Sequence, residues 1–196
     1  MNELTNKLFG GTSYLASSTK LETTHHLILR RSSQDSQITD VSSINQPQNA
    51  MAVYTIQTTK KTIILYRGEP NPQHKVGECK TAFMGLSMDV TLYDSRFSIR
   101  NSTTATKFIV QSPNYGRLEW KGDSLLGSGL SLYNASDEKV ATIKSGGIMN
   151  HSEKQLLVFV HCDEYFLEMV LLTAVAAMKL DKRADEIAYK LLGESS

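Results

Sequence analysis

The sequence predicts a mainly β protein in which an antiparallel meander of strands wraps around an apolar C-terminal helix. From residue 51 onwards, short runs of β-branched, aromatic and aliphatic residues recur about every ten residues, and turn-forming residues separate them. Several of these runs alternate apolar and polar side chains, which is typical of antiparallel strands with one buried face. After the last run, the chain enters a stretch of about 14 apolar residues without alternation.

Size and composition indicate one soluble domain rather than a disordered or strongly basic chain. The protein has 196 residues, of which 40% are hydrophobic and 21% charged, so a substantial core is possible. The formal net charge of +1 argues against a nucleic-acid binder. The two cysteines, Cys79 and Cys162, lie in apolar stretches and are expected to be buried free thiols. The first residues lack an apolar signal segment, so we expect a cytoplasmic protein.

Ten segments after residue 50 have strand character. Met88, Val90 and Leu92 fall on one face of such a segment, and alternating polar residues fall on the other. Closing the meander into a barrel would remove its exposed edges. The segments are 51–57, 62–67, 74–81, 87–93, 96–101, 106–111, 116–121, 128–133, 139–144 and 154–162.

The first 50 residues are predicted to form a flexible N-terminal arm with one possible strand at 25–31. Residues 32–50 are rich in Ser, Gln, Asp and Asn and contain few apolar positions. Such a segment buries too little surface to offset the entropy of ordering it, so we expect a flexible loop there. The barrel is accordingly predicted over residues 51–193.

The apolar stretch near the C-terminus is predicted to be a helix over about 163–180, buried on every side. Asp163 is the expected N-cap. Glu168 is the one acidic residue within the stretch, and we expect it to have a structural role near the positive end of the helix dipole. The stretch is shorter than the roughly 20 residues that cross a bilayer. A helix apolar on all sides needs enclosure on all sides, and the sheet is the available enclosure.

The order of these segments resembles the tubby C-terminal-like superfamily, which includes tubby-like proteins, LURP-one-related proteins and phospholipid scramblases. Within it the chain is most similar to a fungal family of unknown function, over roughly residues 50–186. The resemblance implies a closed antiparallel barrel of about twelve strands around a hydrophobic C-terminal helix, and it implies no activity. The matching pieces are ILYR at 64–67, GEC at 77–79, RLEWKG at 117–122, LSLY at 130–133, KVATI at 139–143, FLEMVLLT at 166–173 and MKL at 178–180.

Charge is unevenly distributed along the chain. Residues 60–121 contain ten basic and five acidic residues, whereas residues 122–196 contain seven basic and eleven acidic residues. The resemblance implies a basic face of the barrel that holds phosphoinositide headgroups, although an ordinary solvated sheet face explains the same charges. The candidate ligand-binding residues are Arg96 and Arg100, with Lys107 nearby, followed by Lys60, Lys61 and Lys75.

No motif in the sequence indicates an enzyme, and no cofactor is expected. The five histidines lack metal-ligand spacing, so no metal site is expected. The glycines around Ser128 do not have the spacing of a nucleophile elbow and are interpreted as a turn. We therefore expect a non-enzymatic, monomeric domain that binds anionic membrane lipids. The alternative is a protein-interaction or scaffold domain without a lipid ligand, using the N-terminal arm or the acidic half.

Overall fold

The computed structural model describes residues 22–47, 50–82, 86–102, 107–122, 129–145 and 153–193. Within these residues, twelve β-strands form a closed antiparallel barrel, and a C-terminal helix packs inside it. This architecture confirms the predicted fold class. Among the described residues, no helix combines the length and apolar character needed to cross a bilayer.

The strands are β1 (His25–Arg31), β2 (Ile38–Ser43), β3 (Tyr54–Thr58), β4 (Thr62–Arg67), β5 (Lys75–Thr81), β6 (Ser87–Leu92), β7 (Ser95–Asn101), β8 (Lys107–Ser112), β9 (Gly116–Gly122), β10 (Leu130–Tyr133), β11 (Lys139–Ser145) and β12 (Glu153–Val158). A turn of 3₁₀-helix (Pro72–His74) precedes β5, and the helix α1 spans Glu164–Gly193.

The barrel is an up-and-down meander, because each strand pairs with its neighbours in sequence and β1 closes the ring against β12. Alternate connections therefore lie at the same end. We call the end where α1 begins the entry end; the described residues of its connections are 44–47, 50–53, 68–74, 93–94, 113–115, 134–138 and 159–163. We call the opposite end the exit end; the described residues of its connections are 32–37, 59–61, 82, 86, 102 and 129.

The core is the contact between α1 and the inward faces of the strands. Residues 169–172 of α1 are consecutive and fully buried, which shows that strands surround the helix on all sides. The indole Nε1 of Trp120 donates a hydrogen bond to Thr173 Oγ1 at 3.2 Å, and this hydroxyl donates to Met169 O at 2.8 Å. The expected enclosure of the apolar stretch is thus confirmed, with its one central hydroxyl satisfied.

Gly77 on β5 lies where the strand packs tightly against both β6 and α1. A Cβ atom there would lie 2.7 Å from Thr91 O, 2.9 Å from Leu92 Cδ1 and 3.1 Å from Leu172 Cδ2. Two of these distances are shorter than any normal contact, so a side chain cannot enter without moving β6 or α1. The absence of a side chain at this position lets β5 pack directly against Leu172.

The barrel begins earlier in the chain than expected. The strand predicted at 25–31 is present, but residues 38–43 form β2 within the segment expected to be a flexible loop. The structure therefore starts the barrel at His25 rather than at residue 51. β2 pairs with both β1 and β3 and buries Val41 completely, so backbone pairing compensates for its few apolar side chains. Residues 1–21 of the expected arm lie outside the described residues.

The ten predicted strands correspond to β3–β12, with two differences near the C-terminus. The last strand ends at Val158 rather than at residue 162, and α1 continues past the central segment predicted at about 163–180 to Gly193. The expected N-cap is confirmed, because Asp163 Oδ1 accepts a hydrogen bond from Phe166 N at 2.8 Å. Both cysteines are free; Cys79 is buried as expected, but Cys162 is only partly buried.

Substituting Gly77→Ala tests the close approach of β5 to α1. We expect the free energy of unfolding to fall by about 1–3 kcal/mol, the usual cost of overpacking a tight core. Chemical denaturation followed by tryptophan fluorescence measures it. Ser98→Ala, on the outer face of β7, is the control and should change stability by less than about 0.5 kcal/mol. Equal effects of both substitutions would show that the approach is not tight.

Candidate functional site

The entry end contains an ionic network around one buried carboxylate at the start of α1. Glu168 is fully buried, and its Oε1 accepts hydrogen bonds from Arg67 Nε at 3.2 Å and from an Arg67 terminal nitrogen at 2.5 Å. Its Oε2 accepts a hydrogen bond from the Tyr93 hydroxyl at 2.6 Å. The same Arg67 nitrogen lies 2.7 Å from Tyr93 Oη and 3.1 Å from Glu164 Oε2. Both carboxylate oxygens of Glu168 are therefore occupied.

Strand register explains why Arg67 reaches the interior. Arg67 is directly opposite the buried Tyr54 on β3, so it continues the inward-facing row of β4 after Ile63 and Leu65. Tyr93 follows β6 in a tight turn and has a φ of 50°, a left-handed conformation that is uncommon for a residue other than glycine. Its place in this turn allows the hydroxyl to reach over the barrel rim to Glu168.

The electrostatics of this network favour a structural ion pair. The hydrogen bond to Glu168 raises the pKa of Arg67 above its usual value. Burial, and then the hydrogen bond to Glu168, raises the pKa of Tyr93 to about 12. Burial and the nearby Glu168 charge also raise the pKa of Tyr54. The raised pKa values of Arg67 and Tyr93 keep the guanidinium charged and the phenol neutral at neutral pH, so both groups tie the entry end of the barrel to α1.

A second set of polar contacts ties α1 to the barrel at the exit end. Lys179 Nζ donates to Thr59 O at 2.5 Å, and Arg183 donates to Lys60 O at 2.6 Å and to Thr81 Oγ1 at 3.1 Å. Burial lowers the pKa of Lys179. These bonds fix the β3–β4 turn against the helix, and with it the positions of Lys60 and Lys61.

The exit end is strongly basic. Eight basic residues lie within two positions of the strand ends there, and two more lie in the β3–β4 turn. We call these ten residues the basic rim. They are Arg30, Arg31, Lys60, Lys61, Lys80, Arg100, Lys107, Lys121, Lys144 and Lys154. Over the same described strand ends and connections the acidic residues are Asp35, Asp40, Asp89 and Glu153.

Most of the basic rim is not neutralised by ion pairs. Arg30 pairs with Glu153, Lys80 with Glu78, and Lys121 with Asp137. The other seven residues form no ion pair with another described residue. All seven are exposed or half-buried, so their charges face solvent.

The structure separates the six predicted ligand-binding residues into two groups. Lys60, Lys61, Arg100 and Lys107 belong to the basic rim, and Arg100 and Lys107 are diagonal neighbours on adjacent strands. Arg96 and Lys75 lie at the other end of their strands; Lys75 is about 17 Å from Lys80 along β5. Lys75 Nζ is also paired with Glu78 at 2.9 Å. The predicted side chains therefore do not form one cluster.

The remaining members of the basic rim were missed by the sequence analysis. Arg30 and Arg31 lie in the segment expected to be an arm, and Lys144 and Lys154 lie in the half of the chain expected to be acidic. Topology could have revealed these residues, because in an up-and-down meander the end of one strand and the start of the next lie at the same end of the barrel. The charge asymmetry therefore runs along the barrel axis rather than around its circumference.

The entry end also has a cavity of about 450 Å³ between the start of α1 and the ends of β9–β11. Its walls are mostly apolar. They are formed by Tyr115, Leu118, Asn134, Val140, Val160, His161, Cys162, Asp163 and Phe166. Tyr115 closes one side, with its ring 4.7 Å from that of Phe166 and its hydroxyl donating to Asp163 Oδ1 at 2.9 Å. Burial raises the pKa of the Cys162 thiol, which keeps it in the unreactive neutral form.

Fold and site together define a closed twelve-stranded antiparallel barrel with a helix in its interior and a concentration of basic residues at its exit end. The same fold occurs in an X-ray structure of a protein from Arabidopsis thaliana. The two chains are 12% identical, with a TM-score of 0.50, and the match covers 80% of this chain and 94% of that one. No protein-family model and no curated protein matches the sequence. The likeness therefore concerns the fold alone.

Replacing Arg67 with Met tests the ion pair between the buried Glu168 and the half-exposed Arg67. The substitution leaves the carboxylate of Glu168 without its cation, and because solvent reaches Arg67 we expect a loss of about 2 kcal/mol, less than for a fully buried pair. The double variant Arg67→Met with Glu168→Gln should recover part of this loss, and a double-mutant cycle from denaturation measurements gives the coupling. Arg117→Met, which breaks the solvent-facing pair with Glu119, should lose less than about 1 kcal/mol. If Arg67→Met lowers the free energy of unfolding no more than Arg117→Met does, the pair with Glu168 does not have the stabilising role described here.

Tyr93→Phe tests the alkaline behaviour of the network. The pKa of Tyr93 is raised from 10.0 to about 12 in the folded protein, so folding is favoured by its neutral form. This stabilisation is complete below pH 10 and is lost as the pH rises towards 12. Urea denaturation at pH 9, 10 and 11 should show a smaller decline in stability for Tyr93→Phe than for the unsubstituted protein. Parallel declines would show that Tyr93 titrates equally in the folded and unfolded states.

Proposed function

We propose that this protein is a non-enzymatic tubby-like domain whose exit end binds the anionic phospholipid headgroups of a cytoplasmic membrane surface, phosphoinositides among them. One observation carries the proposal: ten basic residues lie around one end of the barrel, at seven strand ends and in the β3–β4 turn, and seven of them have no ion pair among the described residues. The up-and-down barrel around a helix supports the tubby-like assignment. The order of the segments that carry the resemblance supports it too. Within the superfamily, we propose a fungal-like member, as those segments indicate.

The energetics of a basic rim match a charged surface better than a single small ligand. Each basic residue near an anionic membrane contributes about 1 kcal/mol, and this contribution fades within a Debye length. A ring of such residues at one end of a rigid barrel brings many charges to a flat surface at once. The barrel would then stand end-on, with the exit end at the membrane.

The proposed contact includes four of the six candidate residues and excludes two. Lys60 and Lys61 are the most prominent, because their turn is held by Lys179 and Arg183 through backbone carbonyls. Those bonds leave the Lys60 and Lys61 side chains available to headgroup phosphates. Arg96 and Lys75 lie towards the entry end, so they would face away from a membrane at the exit end.

Vesicle co-sedimentation with two matched triple variants tests the proposal. Lys60→Gln, Lys61→Gln and Lys107→Gln together remove three charges from the basic rim. Lys75→Gln, Arg96→Gln and Arg117→Gln remove three charges near the entry end. We expect the first triple to weaken binding to vesicles containing phosphatidylserine and phosphatidylinositol 4,5-bisphosphate by about tenfold or more, and the second to change it by less than about threefold.

Controls separate this outcome from general charge effects. The protein should not bind vesicles of phosphatidylcholine alone. Raising the salt concentration from 0.1 M to 0.5 M should release the bound protein, because the Debye length then shortens to about 4 Å. Binding weakened equally by both triple variants, or binding insensitive to salt, would refute the exit end as the contact. Binding only to vesicles that contain the bisphosphate would narrow the ligand to phosphoinositides.

A further inference from the structure

The connection between β1 and β2 places an exposed serine at the exit end, next to the basic rim. In the sequence Arg30-Arg31-Ser32-Ser33, two arginines stand two and three positions before Ser33. No other serine or threonine of the sequence has basic residues at both of these positions. Arginine-directed serine kinases select substrates by this spacing, because acidic side chains in their peptide-binding cleft pair with the two guanidinium groups. The motif therefore indicates a modification site.

The fold leaves the Ser33 hydroxyl accessible. Ser33 lies in a bend of the connection at 32–37, is exposed, and forms no hydrogen bond with another described residue. Two other side chains hold the loop, since Ser32 Oγ and Asp35 Oδ1 accept hydrogen bonds from backbone N–H groups within it. A phosphate added to Ser33 Oγ would therefore break no hydrogen bond among the described residues.

The two arginines that a kinase would bind are differently placed. Arg31 is exposed and forms no ion pair with another described residue. Arg30 pairs with Glu153, but its side chain is 36% exposed, and an ion pair open to solvent contributes little to stability. Both arginines end β1, where local opening costs less free energy than in the middle of a strand. A kinase cleft can therefore reach this segment without unfolding the barrel.

A phosphate at Ser33 would change the charge of the proposed contact surface. Phosphoserine carries a charge of about −2 at neutral pH and has three strong acceptor oxygens. Gln37 O at the end of the loop accepts a hydrogen bond from Thr58 N at 2.7 Å, so the loop lies beside the turn that carries Lys60 and Lys61. The phosphate would repel anionic headgroups, and it would also pair with cations of the basic rim and so withdraw them from the membrane.

We propose that Ser33 is a phosphorylation site of an arginine-directed serine kinase, and that its phosphorylation releases the exit end from anionic membranes. The release rests on the lipid binding proposed above, whereas the modification site does not. In the transfer, Ser33 Oγ attacks the γ-phosphorus of Mg-ATP held by the kinase. The bond between that phosphorus and the β–γ bridging oxygen breaks, ADP leaves, and the hydroxyl proton passes to a carboxylate of the kinase.

Phosphorylation of the full chain in vitro tests the site. The folded protein is incubated with Mg-ATP and the catalytic subunit of the cyclic-AMP-dependent protein kinase, and the phosphate is located by mass spectrometry. We expect phosphate at Ser33, its loss in Ser33→Ala, and its retention in Ser36→Ala, the matched control. Ser36 is also exposed in this loop but lacks the preceding arginines. A peptide of residues 27–37 tests recognition by itself. If the kinase modifies the peptide but not the folded chain, or modifies neither, Ser33 is not the site.

Vesicle co-sedimentation before and after phosphorylation tests the release. We expect phosphate at Ser33 to weaken binding to vesicles containing phosphatidylserine and phosphatidylinositol 4,5-bisphosphate by about tenfold or more, because it adds two negative charges to the contact surface. Ser33→Glu adds one charge and should weaken binding by about threefold or more. Asn114→Glu adds the same charge in the exposed β8–β9 turn at the entry end and should change binding by less than about twofold.

The two measurements separate failure of the release from failure of the proposed function. Phosphate located at Ser33 with unchanged vesicle binding, or equal effects of Ser33→Glu and Asn114→Glu, would refute the release but not lipid binding. If the unmodified protein does not bind the vesicles, the proposed function and the release are both wrong, and phosphate located at Ser33 would still support the modification site.

Discussion

The enclosure of α1 is the constraint on which the rest of the structure depends. Residues 169–172 are buried around the whole circumference of the helix, so the apolar surface of the helix can be satisfied only inside a closed wall. Ala174, Ala176 and Ala177 keep the second half of α1 narrow, and all three are fully buried. The helix in turn stabilises the barrel, because it fills an interior that the inward side chains of the strands would leave partly empty.

Polar contacts at the two ends of the barrel then determine how the helix sits. At the entry end Arg67 and Tyr93 hold Glu168, and at the exit end Lys179 and Arg183 bond to strand connections. An apolar helix alone could slide along the barrel axis, since apolar contacts have little directional preference. Hydrogen bonds at both ends fix the position of α1 along the barrel axis. At the exit end they also position the β3–β4 turn, which carries Lys60 and Lys61 of the basic rim.

Much of the fold could be predicted from the sequence, and less of the candidate sites. The alternation of Met88, Val90 and Leu92 and the uniform apolarity of α1 are local signals, so periodicity was sufficient. β2 has Val41 as its one fully buried residue, and pairing on both sides stabilises it, which no local pattern shows. The Arg67–Glu168 pair joins residues 101 positions apart. Likewise, the basic rim draws its members from many strands, so it becomes visible only once the strand register is known.

The closure of the ring by β1 and β12 also constrains the order of events as the protein is made. His25 pairs with Val158, so the first strand cannot find this partner until the last strand has left the ribosome. Throughout that interval β1 has a free edge, and the inward faces of the early strands lack the helix that will cover them. Strands so far apart in sequence pair slowly, and the intermediates that form before pairing are prone to aggregate because they expose apolar surface. Closure of this barrel should therefore wait until β12 and α1 have been synthesised, and it should benefit from chaperones that shield unpaired strands.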